Sequence, residues 1–439
     1  MMTSRDSVGP ADLVTGFGTA LAMWALGFAF RLPPASLPSP ALLGLLLAVL
    51  AAGGAIAARK TGSGPRAGAA AGIVASMVNL LVLGSLLSGD QPNSIVPSLL
   101  IWIPGSLLLG AACGALGAAV GGRGAAPASP PDWTAAFARV AASATLVLVL
   151  LGGLVTSHEA GLAVVDWPNS YGYNMFLYPL SRMVGGIYFE HAHRLFGSLV
   201  GLTTVALFVR ILLTERRGWV KGAGAVAVLL VIAQGILGGL RVTGHFTMTT
   251  SPEIVRPNLT LAMVHGITGQ LFFAWMVCLA AFTSPTWKER RHAETSPAAG
   301  GDRAFAALAM AVLLVQLVLG VRARHTGEGT MLHLAFAVVV LAAVVIVGVR
   351  VLGGHESVVA LRKAAGALLG HVTVQVVLGG LAFFLVSSRA GEGAPPAAEV
   401  WITTLHQTVG ALLLANVALV NLWTRRLLDP APAAAAEPA

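Results

Sequence analysis

Apolar runs of roughly 20 residues recur along almost the whole chain, each long enough as a helix to cross the ~30 Å hydrocarbon layer of a bilayer. Twelve are recognisable, near residues 12–31, 40–58, 69–88, 97–120, 135–157, 190–213, 222–242, 260–283, 303–323, 331–351, 362–386 and 400–423. None alternates with the period of two that a lipid-facing strand requires. Backbone groups in lipid must be satisfied within the membrane, so helices are expected rather than a barrel. The composition agrees, since only 10% of the residues are charged, against about 25% in soluble domains. The expected fold class is an all-α polytopic membrane protein with about 12 transmembrane helices. Cys113 and Cys278 both fall inside apolar runs, so neither a disulfide framework nor a thiolate metal site follows from them. The first run is read as a retained helix, because its flank carries Arg5 and Asp6 without a clear small-residue cleavage site.

The formal charge of +9 does not point to nucleic acid, because the basic residues lie in short groups between apolar runs. Arg59, Lys60 and Arg66 follow the second run, Arg216, Arg217 and Lys221 the sixth, Lys288, Arg290 and Arg291 the eighth. Arg350, Arg362 and Lys363 flank the loop after the tenth, and Arg425 and Arg426 follow the last. All these groups come after even-numbered spans, which predicts a multi-pass protein of the bacterial inner membrane with both termini cytoplasmic. Arg322 and Arg324 break the pattern. A Gly/Ala/Pro/Ser stretch near 121–132 reads as a linker. The expected division is a four-span extension over 1–132, four-helix halves over 133–290 and 291–429, and a disordered tail over 430–439.

The last eight spans contain an internal repeat. QGILGGL begins at Gln234 and QVVLGGL at Gln375; His265 and His406 each follow 31 residues later. His265 and His406 are 141 residues apart, and His193 and His333 are 140 apart. The eight spans are therefore expected as two pseudosymmetric four-helix bundles in parallel orientation. All four histidines fall in the first two turns of spans that start at the outer face, which sets them at one depth with two per bundle. Two imidazoles from facing helices are what a six-coordinate haem iron needs, so His193, His265, His333 and His406 are the candidate iron ligands. The plainer alternative for any one of them is a hydrogen bond between helices. His158, His191, His245, His292, His325, His355 and His371 are expected to be non-ligands; they lie in loops, lack a repeat mate or face another way. Glu190 stands three residues before His193, so both project into one pocket, whereas Thr330 holds that position before His333. Stabilisation of the helix start is the alternative role for Glu190.

The runs GGLVTSHEAGLAVVDWPNSYGYNMFLYPL and YFEHAHRLFGSLVGL resemble the haem A synthase family, as do LGGLRVT, LAMVHGITGQLFF and LHQTVGALLLANVAL. The resemblance covers about residues 135–425 and is specific in E-x-x-H-R at Glu190 to Arg194, G-L-x-x-x-D-W-P at Gly161 to Pro168, and His406–Gln407. It implies that His333 and His406 ligate a haem B cofactor, and that His193 and His265 flank the substrate, haem O. Glu190 is then a functional carboxylate. The implied reaction oxidises the ring methyl of haem O to a formyl group, giving haem A for terminal oxidases. Implied partners are lipid, a haem O synthase and an electron donor. The chain departs from some members in lacking a cysteine pair in an outer loop, and residues 1–132 lie outside the resemblance. That extension lacks the aspartate-rich motifs of a prenyltransferase, and packing or partner docking is its default role.

Haem propionates need cations near the outer interface, and Arg241, Arg322 and Arg324 are the candidates, with snorkelling as the alternative. Arg194 is expected either to join them or to fix the adjacent loop. The aromatic segment from Gly161 to Tyr178 reads as a cap over the substrate pocket or as an interfacial anchor. Two other functions compete. A di-haem b-type electron-transfer subunit is opposed by the Glu190/Thr330 asymmetry and by the single depth of the four histidines. A transporter is opposed by the lack of interrupted helices and midplane charges.

Overall fold

The computed structural model describes residues 9–86, 93–94, 97–122, 129, 131–243, 258–290, 292–389 and 393–431. Twelve of its helices are long and apolar enough to cross a membrane. The protein is an all-α, multi-pass membrane protein. The helices are α1 (Pro10–Ala29), α2 (Ser39–Thr61), α3 (Gly64–Leu86), α4 (Leu99–Gly121), α5 (Trp133–Ser157), α6 (Gly185–Thr214) and α7 (Gly218–Thr243). They continue as α8 (Leu259–Thr283), the short α9 (Pro285–Glu289), α10 (Ala299–Thr326), α11 (Thr330–Gly354), α12 (Val359–Ser388) and α13 (Ala397–Leu427). Several outrun the apolar blocks, because a polar residue at a helix end keeps the backbone bonded while its side chain reaches water. His325 thus lies in the last turn of α10 rather than in a loop. His245 lies outside the described residues, as do most of the linker and residues 432–439.

The chain divides into two compact units, residues 1–148 with 161–214, and residues 149–160 with 215–439. In the first, α1 to α4 pack through small residues. Added methyl groups on Gly54, Gly68 and Gly72 would meet backbone of α4, at Gly114 for the first two and Gly110 for the third. This close backbone approach is how helices associate where lipid removes the hydrophobic drive. Between α5 and α6 the chain forms a small hairpin, β1 (Asn169–Ser170) antiparallel to β2 (Tyr173–Asn174). Its two-residue turn needs positive φ at both positions, which Tyr171 (φ 50) and Gly172 (φ 78) supply.

In the second unit α8, α10 and α13 pack together, with α7 against α8 and α11 and α12 completing the α10–α13 group. Gly327 (φ 71) and Gly329 (φ 78) make the tight turn that returns α11 alongside α10. At the opposite end of the unit from that turn, Trp219, Phe282, Trp287 and Trp423 form an aromatic chain. Arg217 lies over Trp219 and Arg426 over Trp287, each 5.4 Å from the ring centre. Nearby, β3 (Glu294–Ser296) pairs in parallel with β4 (Leu428–Pro430), so Pro430 belongs to the fold rather than to a tail.

His355, fully buried at the end of α11, bridges two carboxylates at this end. Its Nε2 is 2.8 Å from Asp302 Oδ2, and its Nδ1 contacts Glu294. Burial alone would lower its pKa, but hydrogen bonds to Asp302 and Glu294 outweigh burial and raise it. The stabilisation this gives is complete below the ordinary value of 6.5 and is lost as pH rises through the raised native value. Thermal unfolding in detergent is expected to show a midpoint that falls with pH in that window, and His355→Gln is expected to flatten the slope. Equal slopes in both proteins would show that His355 is not an imidazolium.

Candidate functional site

His333 on α11 and His406 on α13 face each other. Their ring centres are 6.4 Å apart and their planes cross at 88°. Each Nδ1 is buried, with the backbone of Gln316 beside the His333 ring and that of Gln375 beside the His406 ring. Two imidazoles sharing one metal at ~2.0–2.1 Å would have ring centres ~6.3 Å apart. The observed pair therefore has the separation of axial ligands on one iron. Among the described residues no cluster of three or more His, Cys, Asp or Glu could chelate an ion. Two imidazoles suit instead a macrocycle that brings its own four nitrogens.

Each ring lies against a glycine. A Cβ on Gly320 of α10 would stand 2.7 Å from His333 Cε1, and one on Gly379 of α12 would stand 2.9 Å from His406 Cε1. A glutamine stands one turn before each glycine, on the same helix face. Gln316 donates through Nε2 to the His333 carbonyl at 3.0 Å, and the Gln375 amide nitrogen is 3.3 Å from His406 Nε2. The pattern recurs on α7. A Cβ on Gly238 would stand 3.4 Å from His265 Cε1, and Gln234 donates to Thr268 on the helix that carries His265. The repeat visible in sequence included Gln234 and Gln375 but not Gln316. Gln316 is only 17 residues from His333 because the α10–α11 turn is short, which hides the shared Gln-x-x-x-Gly spacing when the 31-residue interval is used as the guide. Gly379→Val is expected to push the His406 ring off its position, at a cost of about 1–3 kcal/mol. The measurement is haem retained after purification, with Gly380→Val, whose Cβ would meet open space, as the control. Equal haem in both variants would show that the glycine cradle is not used.

The first unit holds Glu190 and His193 on α6. His193 is the ninth residue of its helix and His406 the tenth of its own, a turn deeper than the apolar runs suggested, since both helices start earlier. Glu190 is almost fully buried. Its Oε2 accepts from Val164 N at 2.9 Å and its Oε1 from Arg194 at 2.9 Å. Arg194 also donates to the carbonyls of Val164, Asp166 and Asn169 at 2.7, 2.7 and 2.8 Å. Asp166 accepts from the backbone of Tyr171 and Gly172 at 2.7 and 2.8 Å. Arg194 thus fixes the loop, the second of the two roles expected of it. His191, on another face, places Nδ1 3.0 Å from Ser170 Oγ beneath the same loop.

Arg241 lies in the last turn of α7, and the other two arginines have partners in the structure. Arg322 pairs with Glu328 at 2.8 Å in an exposed bridge, a kind worth little and easily exchanged. Arg324 donates to the Thr156 carbonyl at 2.8 Å. Sequence reasoning missed Glu399, buried two turns before His406 and 3.4 Å from Arg389. Only its acidity inside the start of an apolar helix signalled it. His371 sits within reach of Asn416, 3.4 Å away.

Residues 135–331 match the family COX15-CtaA, cytochrome oxidase assembly protein. This upholds the resemblance over just under half of the chain, including Glu190, His193 and His265 and ending two residues before His333. No curated protein and no solved structure matches the chain.

Proposed function

We propose, for a chain whose residues 135–331 match the cytochrome oxidase assembly family, that the protein serves oxidase assembly by converting haem O to haem A. The observation that carries this reading is the His333–His406 pair, with its 6.4 Å separation and crossed planes. By the repeat, His193 and His265 are the counterparts that receive haem O, while His333 and His406 hold haem B. Haem B, when bound, supplies one-electron transfer. The polypeptide's part is to bind, orient and shield. Gly320 and Gly379 leave room for the ligand rings, and Gln316 and Gln375 fix the helices behind them. The loop from Gly161, tied down by Arg194 and Asp166, keeps water from the Glu190 side. Glu190 is held with its charge balanced by Arg194, placed to stabilise positive charge developing at an adjacent substrate or to take up a proton. Arg241, at the end of the helix that carries Gln234 and Gly238, is the proposed propionate partner in the first half. Arg322 and Arg324 are proposed for the second, each exchanging its present partner for a propionate. The basic groups after even-numbered spans support a reading in which both termini are cytoplasmic and the histidines lie toward the outer face of a bacterial inner membrane.

The test is co-expression with a haem O synthase and chromatography of the extracted haems. Haem A is expected, and it should disappear when Glu190 is replaced by alanine. Haem B alone would favour a di-haem electron carrier, and protein free of haem would remove both readings.

A further inference from the structure

The repeat and the ligand histidines need eight spans, yet four more precede them. Within the first unit these four touch α6 and its loop at a restricted set of points. Phe28, in the last turn of α1, stacks on Tyr188 with ring centres 5.0 Å apart and planes 16° from parallel. It also meets Phe189 and Phe196 edge-on. The Tyr188 hydroxyl donates to the Phe28 carbonyl at 2.8 Å, satisfying one of the acceptors that a helix end leaves open. Trp24, one turn earlier, packs edge-on against Phe196 at 5.4 Å, and its indole donates to Asn79 of α3 at 3.0 Å. Tyr188, Phe189, Ala192 and Phe196 form one face of α6, Glu190 and Arg194 lie on another, and His193 stands between the two.

The loop is held from the same side. Asn93 Oδ1 accepts from Asn174 N at 2.7 Å and its Nδ2 donates to the Gly172 carbonyl at 3.3 Å. One side chain thus bonds the turn and the second strand of the hairpin, at residues two apart. Gly84 of α3 lies directly against the Phe176 carbonyl, where a Cβ could not fit. Arg194 holds the first strand at Asn169, and Asp166 holds the turn at Tyr171 and Gly172. The loop is therefore pinned between two sets of partners, one carried by the haem-binding half and one by the extension.

We propose that α1–α4 are an intramolecular positioning unit for the Glu190 side of the site, acting through Asn93 on the hairpin and through Phe28 on α6. This rests on the functional reading above. The extension fixes where the cap lies and how the outer end of α6 is rotated, and so governs how haem O is seated against Glu190. Asn93 and Phe28 are positioning residues that touch neither substrate nor cofactor.

The test uses the full-length protein in detergent with Asn93→Ala, Asn93→Asp and Phe28→Leu. Hydrogen exchange is expected to rise about tenfold at residues 169–176 in Asn93→Ala, with α10–α13 unchanged. Asn93→Asp, which keeps the acceptor for Asn174 N, should restore most of the protection. Phe28→Leu should raise exchange at the start of α6. Conversion of haem O is expected to lose about tenfold in kcat/KM in Asn93→Ala, with His333/His406-side haem retained. Unchanged exchange at 169–176 would overturn the proposal, as would faster exchange with full conversion. If the unaltered protein converts no haem O, the functional reading fails, and the exchange result still decides whether the extension holds the loop.

Discussion

Alanine in place of His406 is expected to leave the purified protein with about half of its haem, the loss falling on the six-coordinate species of the second half. His333→Ala should do the same, and the double variant should lose no more than either alone, because one axial imidazole does not hold a macrocycle that needs two. The reason is geometric. The rings stand 6.4 Å apart with planes crossed at 88°, the separation that two imidazoles on one shared iron would have. His371→Ala is the control, since that histidine is on α12 beside Asn416 and should keep full haem. The measurement is haem quantified per chain with the low-spin spectrum. Equal content in His406→Ala and His371→Ala would end the axial-ligand assignment.

Glu190→Ala is expected to abolish the conversion while haem stays bound between His333 and His406. It leaves Arg194 without its buried counter-charge and Val164 N without its acceptor, a loss of about 3–5 kcal/mol by the usual behaviour of broken buried pairs. Glu190→Gln separates the two roles. The amide oxygen still accepts from Val164, so the loop should remain in place, but the negative charge is gone. If the charge serves the reaction, Glu190→Gln is as inactive as alanine yet unfolds at a higher temperature than the alanine variant, because Val164 N keeps its acceptor. Activity close to native in Glu190→Gln would assign Glu190 to loop anchoring alone.

The number and positions of the twelve spans were legible from the sequence, because hydrophobic length is a local property and each helix satisfies its own backbone. The pairing of His333 with His406 was legible too, since the repeat carries histidines at a fixed interval and membrane helices rarely carry ionisable groups without cause. Their surroundings were not. Gln316 and Gly320 join the pattern only when α10 folds back on α11, and the fit of glycine to ring depends on how closely two helices approach. Glu190 announced itself by its spacing from His193, but its bond to Val164 spans 26 residues of irregular loop, and no periodicity encodes such a contact. The same holds for the extension, whose apolar composition specifies four helices and says nothing of Phe28 meeting Tyr188 or Asn93 meeting the hairpin. Local chemistry wrote the helices and their ligands into the chain. Which side chains were brought within bonding distance was decided by packing, because that depends on residues far apart in sequence arriving at one place.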